Sequence, residues 1–191
     1  MKKMMNSKFI FSCIFVAAVA ISSTSRAAAP VSATDIVRKA ESEVIARIKS
    51  GRDVSDVLES LIDYEKIARD SLGVNWIGAS VDQRSEFLFL FKSLVKKSYQ
   101  RNLKHVGSYH TEWKGEETHL TDAFVYTEVV KNDGREEPLK VVYRLEASRV
   151  VDIITEDSSM VDRYKSQFRR IILKSNFDGL LKKMRDKSVK D

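Results

Sequence analysis

The sequence predicts an α+β domain: a curved antiparallel sheet of about four strands with helices packed on one face. Three observations predict it. Apolar residues recur at helical spacing from Ile36 to Tyr99, the period falls to two from Tyr109, and helical spacing returns after Ser159. Helices, then strands, then helices keep the two kinds of element apart, whereas an α/β chain alternates them.

The chain opens with a leader. Lys2, Lys3 and Lys8 precede an apolar run from Phe9 to Ile21, and small residues follow from Ser23 to Ala29. A basic head, a short apolar middle and a small-residue cut are the marks of a secretory signal. The run is shorter than the roughly 20 residues a spanning helix needs. We place the cut after Ala27, with Ser25 and Ala27 as the small pair, so residues 1–27 are the signal and 28–191 a single domain. A cut after Ala29 would leave Pro30 immediately downstream, and Cys13 sits too early in the apolar run, behind bulky Ile10-Phe11, to serve as a lipid acceptor.

The elements of the remaining chain follow in order. Ile36, Val37, Ala40, Val44, Ile45 and Ile48 predict a helix that starts after Thr34 and closes at Gly51. A second helix follows Asp53, with Val57, Leu58, Leu61 and Ile62 apolar. Asp63 is read as the N-cap of a third, which stops at Gly73. Ser80-Val81-Asp82-Gln83 is a capping box, in which hydroxyl and amide satisfy orphan backbone donors reciprocally. The long helix behind it carries Phe87, Leu90, Phe91 and Leu94 on one stripe, with Leu88, Val95 and Tyr99 beside it. So wide an apolar surface predicts burial on more than one side.

Alternation then takes over. Asp122 to Val130 is β-branched and aromatic, and Asn132-Asp133-Gly134-Arg135 is a hairpin turn. Leu139, Val141, Tyr143 and Leu145 share one face of the next strand, while Lys140, Val142 and Arg144 share the other. A turn at Ala147-Ser148 leads to a strand over Arg149 to Thr155. Ser159-Met160-Val161-Asp162 repeats the capping pattern before a helix with Tyr164, Phe168, Ile171 and Ile172. Phe177, Leu180, Leu181 and Met184 predict a last short helix, and Lys182 to Asp191 a frayed charged tail.

Charge and chemistry exclude several classes. The formal net charge is +6, but residues 1–27 hold four basic side chains and no acid, so the exported chain is at about +2. That removes the electrostatic case for a nucleic-acid partner. The single cysteine, Cys13, leaves with the signal, which excludes disulfides, thiolate metal sites and cysteine nucleophiles. His105 and His110 are five apart, off the four-residue spacing that would align two ligands on a helix, so no metal site is expected. There is no G-x-S-x-G and no glycine-rich phosphate loop, and no catalytic residue is assigned. Asp152 adjoins apolar runs and is read as a hydrogen-bonded structural carboxylate.

Ordered along nearly the whole exported chain are stretches that resemble the MlaC, or toluene-tolerance, family. Ile62-Asp63-Tyr64 through Ile67-Ala68, Leu72-Gly73 and Trp76 is similar to its "FD…MA…LG…W" segment. Gln83-Arg84, Phe87, Phe91, Leu94 and Tyr99 resemble the segment that follows. Tyr143-Arg144-Leu145, Val151-Asp152-Ile153, Ser159, Gln167-Phe168 and Phe177-Asp178 resemble its C-terminal signature. The family's longer final hairpin with a Gly-Gly-Trp-like element is shortened here to Glu146-Ala147-Ser148-Arg149.

The resemblance implies a soluble periplasmic phospholipid carrier with no cofactor. Its partners would be an outer-membrane lipoprotein–porin complex and an inner-membrane ABC transporter with an MCE-domain ring. The sheet and helices would then enclose an apolar lipid pocket. On the shared strand face and the shared helical stripe, its expected lining is Leu139, Val141 and Tyr143 opposite Phe87, Leu90, Phe91 and Leu94, with Tyr164 and Phe168 nearby. Two other functions compete. One is an enzyme of the cone-shaped nuclear-transport-factor-2-like type, using Asp152 or a tyrosine as acid or base. The other is a chaperone that binds polypeptide.

Overall fold

The computed structural model describes residues 31–102 and 107–190. The leader expected over residues 1–27, its cut site and His105 lie outside the described residues.

Helix α1 (Ala33–Lys49) is capped by Ser32, two residues before the expected Thr34: Ser32 is extended and its Oγ accepts from the Asp35 N–H at 3.0 Å. Helix α2 (Ser55–Leu61) follows, then α3 (Tyr64–Leu72), whose N-cap is Asp63: its Oδ1 accepts from Lys66 N–H at 2.9 Å. Gly73, at φ 54°, ends α3 and turns the chain into α4 (Val74–Gly78), a helix the sequence pattern did not reveal. Five residues cannot satisfy their own carbonyls, and Arg84 does so from the next helix, donating to Trp76 O at 2.8 Å and Ile77 O at 2.9 Å. Helix α5 (Val81–Asn102) opens with the reciprocal pair of a capping box: Ser80 N–H to Gln83 Oε1 at 3.0 Å and Gln83 N–H to Ser80 Oγ at 3.1 Å.

The strands are β1 (Tyr109–His119), β2 (Asp122–Lys131), β3 (Leu139–Glu146), β4 (Arg149–Thr155) and β5 (Ser158–Ser159), paired antiparallel in that order as an open sheet. The fifth strand, two residues long, adds to the four expected. In the 132–135 hairpin the positive φ falls on Gly134 alone. Ala147 and Ser148 turn the next hairpin with φ of 45° and 67°, a left-handed pair made without glycine.

Register divides the sheet into two faces. Val125, Tyr143 and Ile153 lie opposite one another across three strands, as do Phe124, Arg144 and Asp152 one position over. The first set belongs to the front face, which buries Val125, Val129, Val141, Tyr143, Leu145, Val150 and Ile153 against Val37 of α1. The second set belongs to the back face. A separate core joins α3 (Ile67, Leu72), α5 (Phe87, Leu90, Phe91) and the last helix (Phe168, Leu180, Leu181). Each such fully buried aromatic or aliphatic side chain is worth about 1.5–3 kcal/mol.

That last helix, α6 (Met160–Lys190), breaks at Ser175 and Asn176, whose backbone is not helical. Before the break it runs antiparallel to α5, with Tyr164 on Phe91 and Phe168 on Phe87; after it the direction reverses, with Gln83 bonded to Asp178 and Glu86 paired with Arg185. Asn176 caps the second half by accepting from Gly179 N–H at 3.0 Å. The expected fraying from Lys182 is therefore corrected: residues 182–190 are helical, because Leu180, Leu181 and Met184 dock into the α3–α5 core and Lys97 reaches Ser188 O.

Candidate functional site

Among the described residues, a cleft and a smaller gap adjoin the sheet, and their linings differ in kind. The larger, about 620 Å³, is an open cleft on the back face between β3–β4 and helices α3, α4 and α6. Arg69, Arg144 and Lys165 line it together with Asp70, Asp152 and Asp162. An acyl chain there would have to strip water from the charged side chains that are still hydrated, at several kcal/mol per ion left without compensation. Asp152, in its floor, is spent on the fold. Its carboxylate accepts from Ser159 Oγ at 2.5 Å, Ile153 N–H at 2.8 Å and Val161 N–H at 3.1 Å, so it closes the start of α6 onto β4. Ser159 Oγ in turn accepts from Asp162 N–H at 3.1 Å. This is the structural carboxylate the sequence suggested.

The second space lies under α1 on the front face. Val37, Ala40 and Val44 of α1, Leu58 and Leu61 of α2, and Tyr143, Val150 and Ile153 of the sheet enclose it. Its volume is about 20 Å³, room for about one water and no more. One carboxyl group enters this apolar lining. Glu41 is buried, and Thr111 Oγ1 of β1 donates to its Oε1 at 2.6 Å. Burial pushes its pKa up from 4.5 to about 8, against the downward pull of the Thr111 bond and the Arg38 guanidinium. Glu41 therefore carries its proton at neutral pH, which is how a carboxyl group sits among valines and leucines.

The nine residues expected to line a pocket fall into two groups. Leu139, Val141 and Tyr143 share the front face, Val141 and Tyr143 fully buried and Leu139 half-buried. Phe87, Leu90, Phe91, Leu94, Tyr164 and Phe168 belong instead to the α3–α5–α6 core. Their rings pack on one another: Phe87 meets Phe168 edge-on at 5.3 Å, and Tyr164 stacks on Phe168 at 5.4 Å. The helical stripe is thus a packed core, and the wall that covers the front face of the strands comes from α1 and α2. Sequence reasoning missed Val37, Ala40, Glu41 and Val44 as that wall. Their spacing carried the signal: a glutamate at a buried position of a helical stripe.

His110 and His119 are structural surface groups, bonded to Asn132 at 2.8 Å and to Glu117 at 3.4 Å. Among the described residues no helix is long and apolar enough to cross a membrane.

Comparison with known proteins agrees with this architecture. Curated proteins give no match to the chain. A solved structure of the phospholipid-binding protein from Ralstonia solanacearum, in complex with a phospholipid, superposes with a TM-score of 0.73 at 25% identity, over 83% of this chain and 97% of that one. The family model described as MlaC protein matches residues 33–186, most of the described structure, and this chain belongs to the MlaC family.

Proposed function

We propose that this protein is a soluble periplasmic phospholipid carrier. It shuttles lipid between the outer and inner membranes as part of an Mla-type ABC transport system that maintains outer-membrane lipid asymmetry. Its partners are an outer-membrane lipoprotein–porin complex and an inner-membrane ABC transporter with an MCE-domain ring. The observation that carries this reading is the apolar space under α1, in a fold shared with a protein solved with a phospholipid. Two acyl chains of about 16 carbons would cost on the order of 20 kcal/mol to expose to water. A carrier needs a dry, aliphatic lining and little polar recognition. The front face offers Val37, Val44, Leu58, Val141, Val150 and Ile153; the back cleft sets ions among Trp76, Ile77, Phe124, Ile154 and Val161.

We therefore assign the acyl site to the front face, with Leu139, Val141 and Tyr143 as its floor and α1 with α2 as its cover. A site of 20 Å³ is closed, since pockets for drug-sized ligands run to about 300–1,000 Å³. Lipid entry then requires α1 and α2 to part from the sheet.

Native mass spectrometry of protein purified from its own periplasm tests the function. The expected result is a protein–phospholipid species that organic extraction reduces to the bare chain. An empty protein that turns over an apolar substrate would favour the enzyme instead. The leader makes an independent prediction: N-terminal sequencing of the periplasmic protein should begin near Ala28, and a chain still beginning at Met1 would contradict export with cleavage.

A further inference from the structure

We propose that Glu41 is a proton-dependent latch on the lipid site: protonated, it ties α1 to the sheet, and lipid entry is coupled to loss of its proton. The proposal rests on the carrier function above and adds a control to the same site.

The argument begins with what holds the cover down. Helix α1 meets the sheet through Val37 in the front-face core, through Arg38 over the Trp113 ring at 4.8 Å, and through hydrogen bonds at its start and its middle. One is exposed, Thr34 N–H to Glu116 Oε2 at 2.7 Å. The other is the buried Thr111–Glu41 bond, which joins residues 70 apart in sequence in the middle of the cover. The space beside it holds about one water, so an acyl chain can enter only where α1 has lifted. Lifting α1 breaks this bond and puts the Glu41 carboxyl in water.

The groups around Glu41 leave it the one switchable charge. From its own helix Arg38 acts on it. From β1 it faces Thr111, and Val129 is the register partner of Thr111 on β2. From α2 come Leu58 and Leu61, from β3 the phenol of Tyr143, and from β4 Val150 and Ile153. None of these except Arg38 is charged at neutral pH.

The sign follows from the two states. In the closed state burial holds the Glu41 pKa near 8; in the open state, hydrated, it returns toward 4.5. Closing therefore takes up a proton at any pH between those values. The latch has its full strength below about 4.5, weakens as pH rises, and is spent above about 8. Lipid uptake rises over that range.

The test uses the exported chain with phosphatidylcholine vesicles that carry a pyrene-tailed phospholipid, at pH 5 to 8. Wild-type uptake should rise at least about ten-fold, well below the ceiling set by a shift of this size. Glu41→Gln should stay flat, near the wild-type value at pH 5, because the amide oxygen still accepts from Thr111 and has no proton to lose. Thr111→Val, which removes this bond and leaves the carboxyl, should raise uptake at pH 5. It serves as the second variant should Glu41→Gln lose its cooperative melt.

Hydrogen exchange of the α1 amides, as the ratio of wild type to Glu41→Gln at each pH, reads the latch without lipid and should climb with pH. Wild-type uptake independent of pH, or a Glu41→Gln profile parallel to it, overturns the latch. No uptake at any pH with a climbing exchange ratio overturns the carrier function and leaves the latch. A flat ratio without uptake overturns both.

Discussion

Val141→Glu is expected to purify without phospholipid while keeping its helical circular-dichroism signal and a cooperative melt. Val141 has no exposed surface, and it lies on the front face with Tyr143 and Leu145. A carboxylate there would have to shed its water against acyl chains, a cost of several kcal/mol unless it takes a proton. The lipid-free protein has two ways out. The new carboxyl can protonate, as Glu41 does on the same face, or α1 can lift and let it hydrate. Neither disturbs the α3–α5–α6 core, which shares no fully buried residue with the front-face core. The melting temperature falls, and the fold survives. Val142→Glu is the control, since Val142 lies opposite Ile154 and Tyr126 on the back face and should leave lipid binding unchanged. Phospholipid retained by Val141→Glu at wild-type level would remove Val141 from the acyl site, and outright unfolding would make the front face a solid core.

Asp152→Ala should produce the largest loss of stability, about 3–5 kcal/mol by chemical denaturation. The substitution strands the N–H groups of Ile153 and Val161 and frees the Ser159 hydroxyl. A buried donor left without an acceptor costs about 1–3 kcal/mol each. Asp152→Asn keeps one oxygen for the two N–H groups and should cost less than half as much. Lipid binding per folded molecule should change little in either, because Asp152 faces the back cleft and not the front-face gap. Loss of lipid from a folded Asp152→Asn would mean that the back cleft takes part in binding.

Local chemistry was legible along the chain. Ser80 and Gln83 form the bonds their spacing demanded, and Asp63 caps α3 as its position before an apolar run suggested. Val141 and Tyr143 alternate inward with Val142 and Arg144 outward, because a strand turns successive side chains to opposite faces. Helix α4 escaped notice because its partner is Arg84, seven and eight residues beyond the two carbonyls it satisfies. The stripe of Leu180, Leu181 and Met184 was legible, but the charge at Lys182, Lys183 and Arg185 hid that the helix it docks runs on to Lys190.

What the sequence by itself determined is the order and type of the main elements, the two faces of each strand, the caps and the family resemblance, since each depends on neighbours within a few residues or on their order along the chain. What only the tertiary structure decided is which apolar surface meets which. The stripe on α5 could have met the sheet on hydrophobicity alone; packing instead gives it to α6 and α3, and gives the sheet to α1. Glu41 shows the reason most clearly. Its helical position is visible in the sequence, but its proton depends on burial beneath a strand 70 residues away, and desolvation exists only once both surfaces have closed.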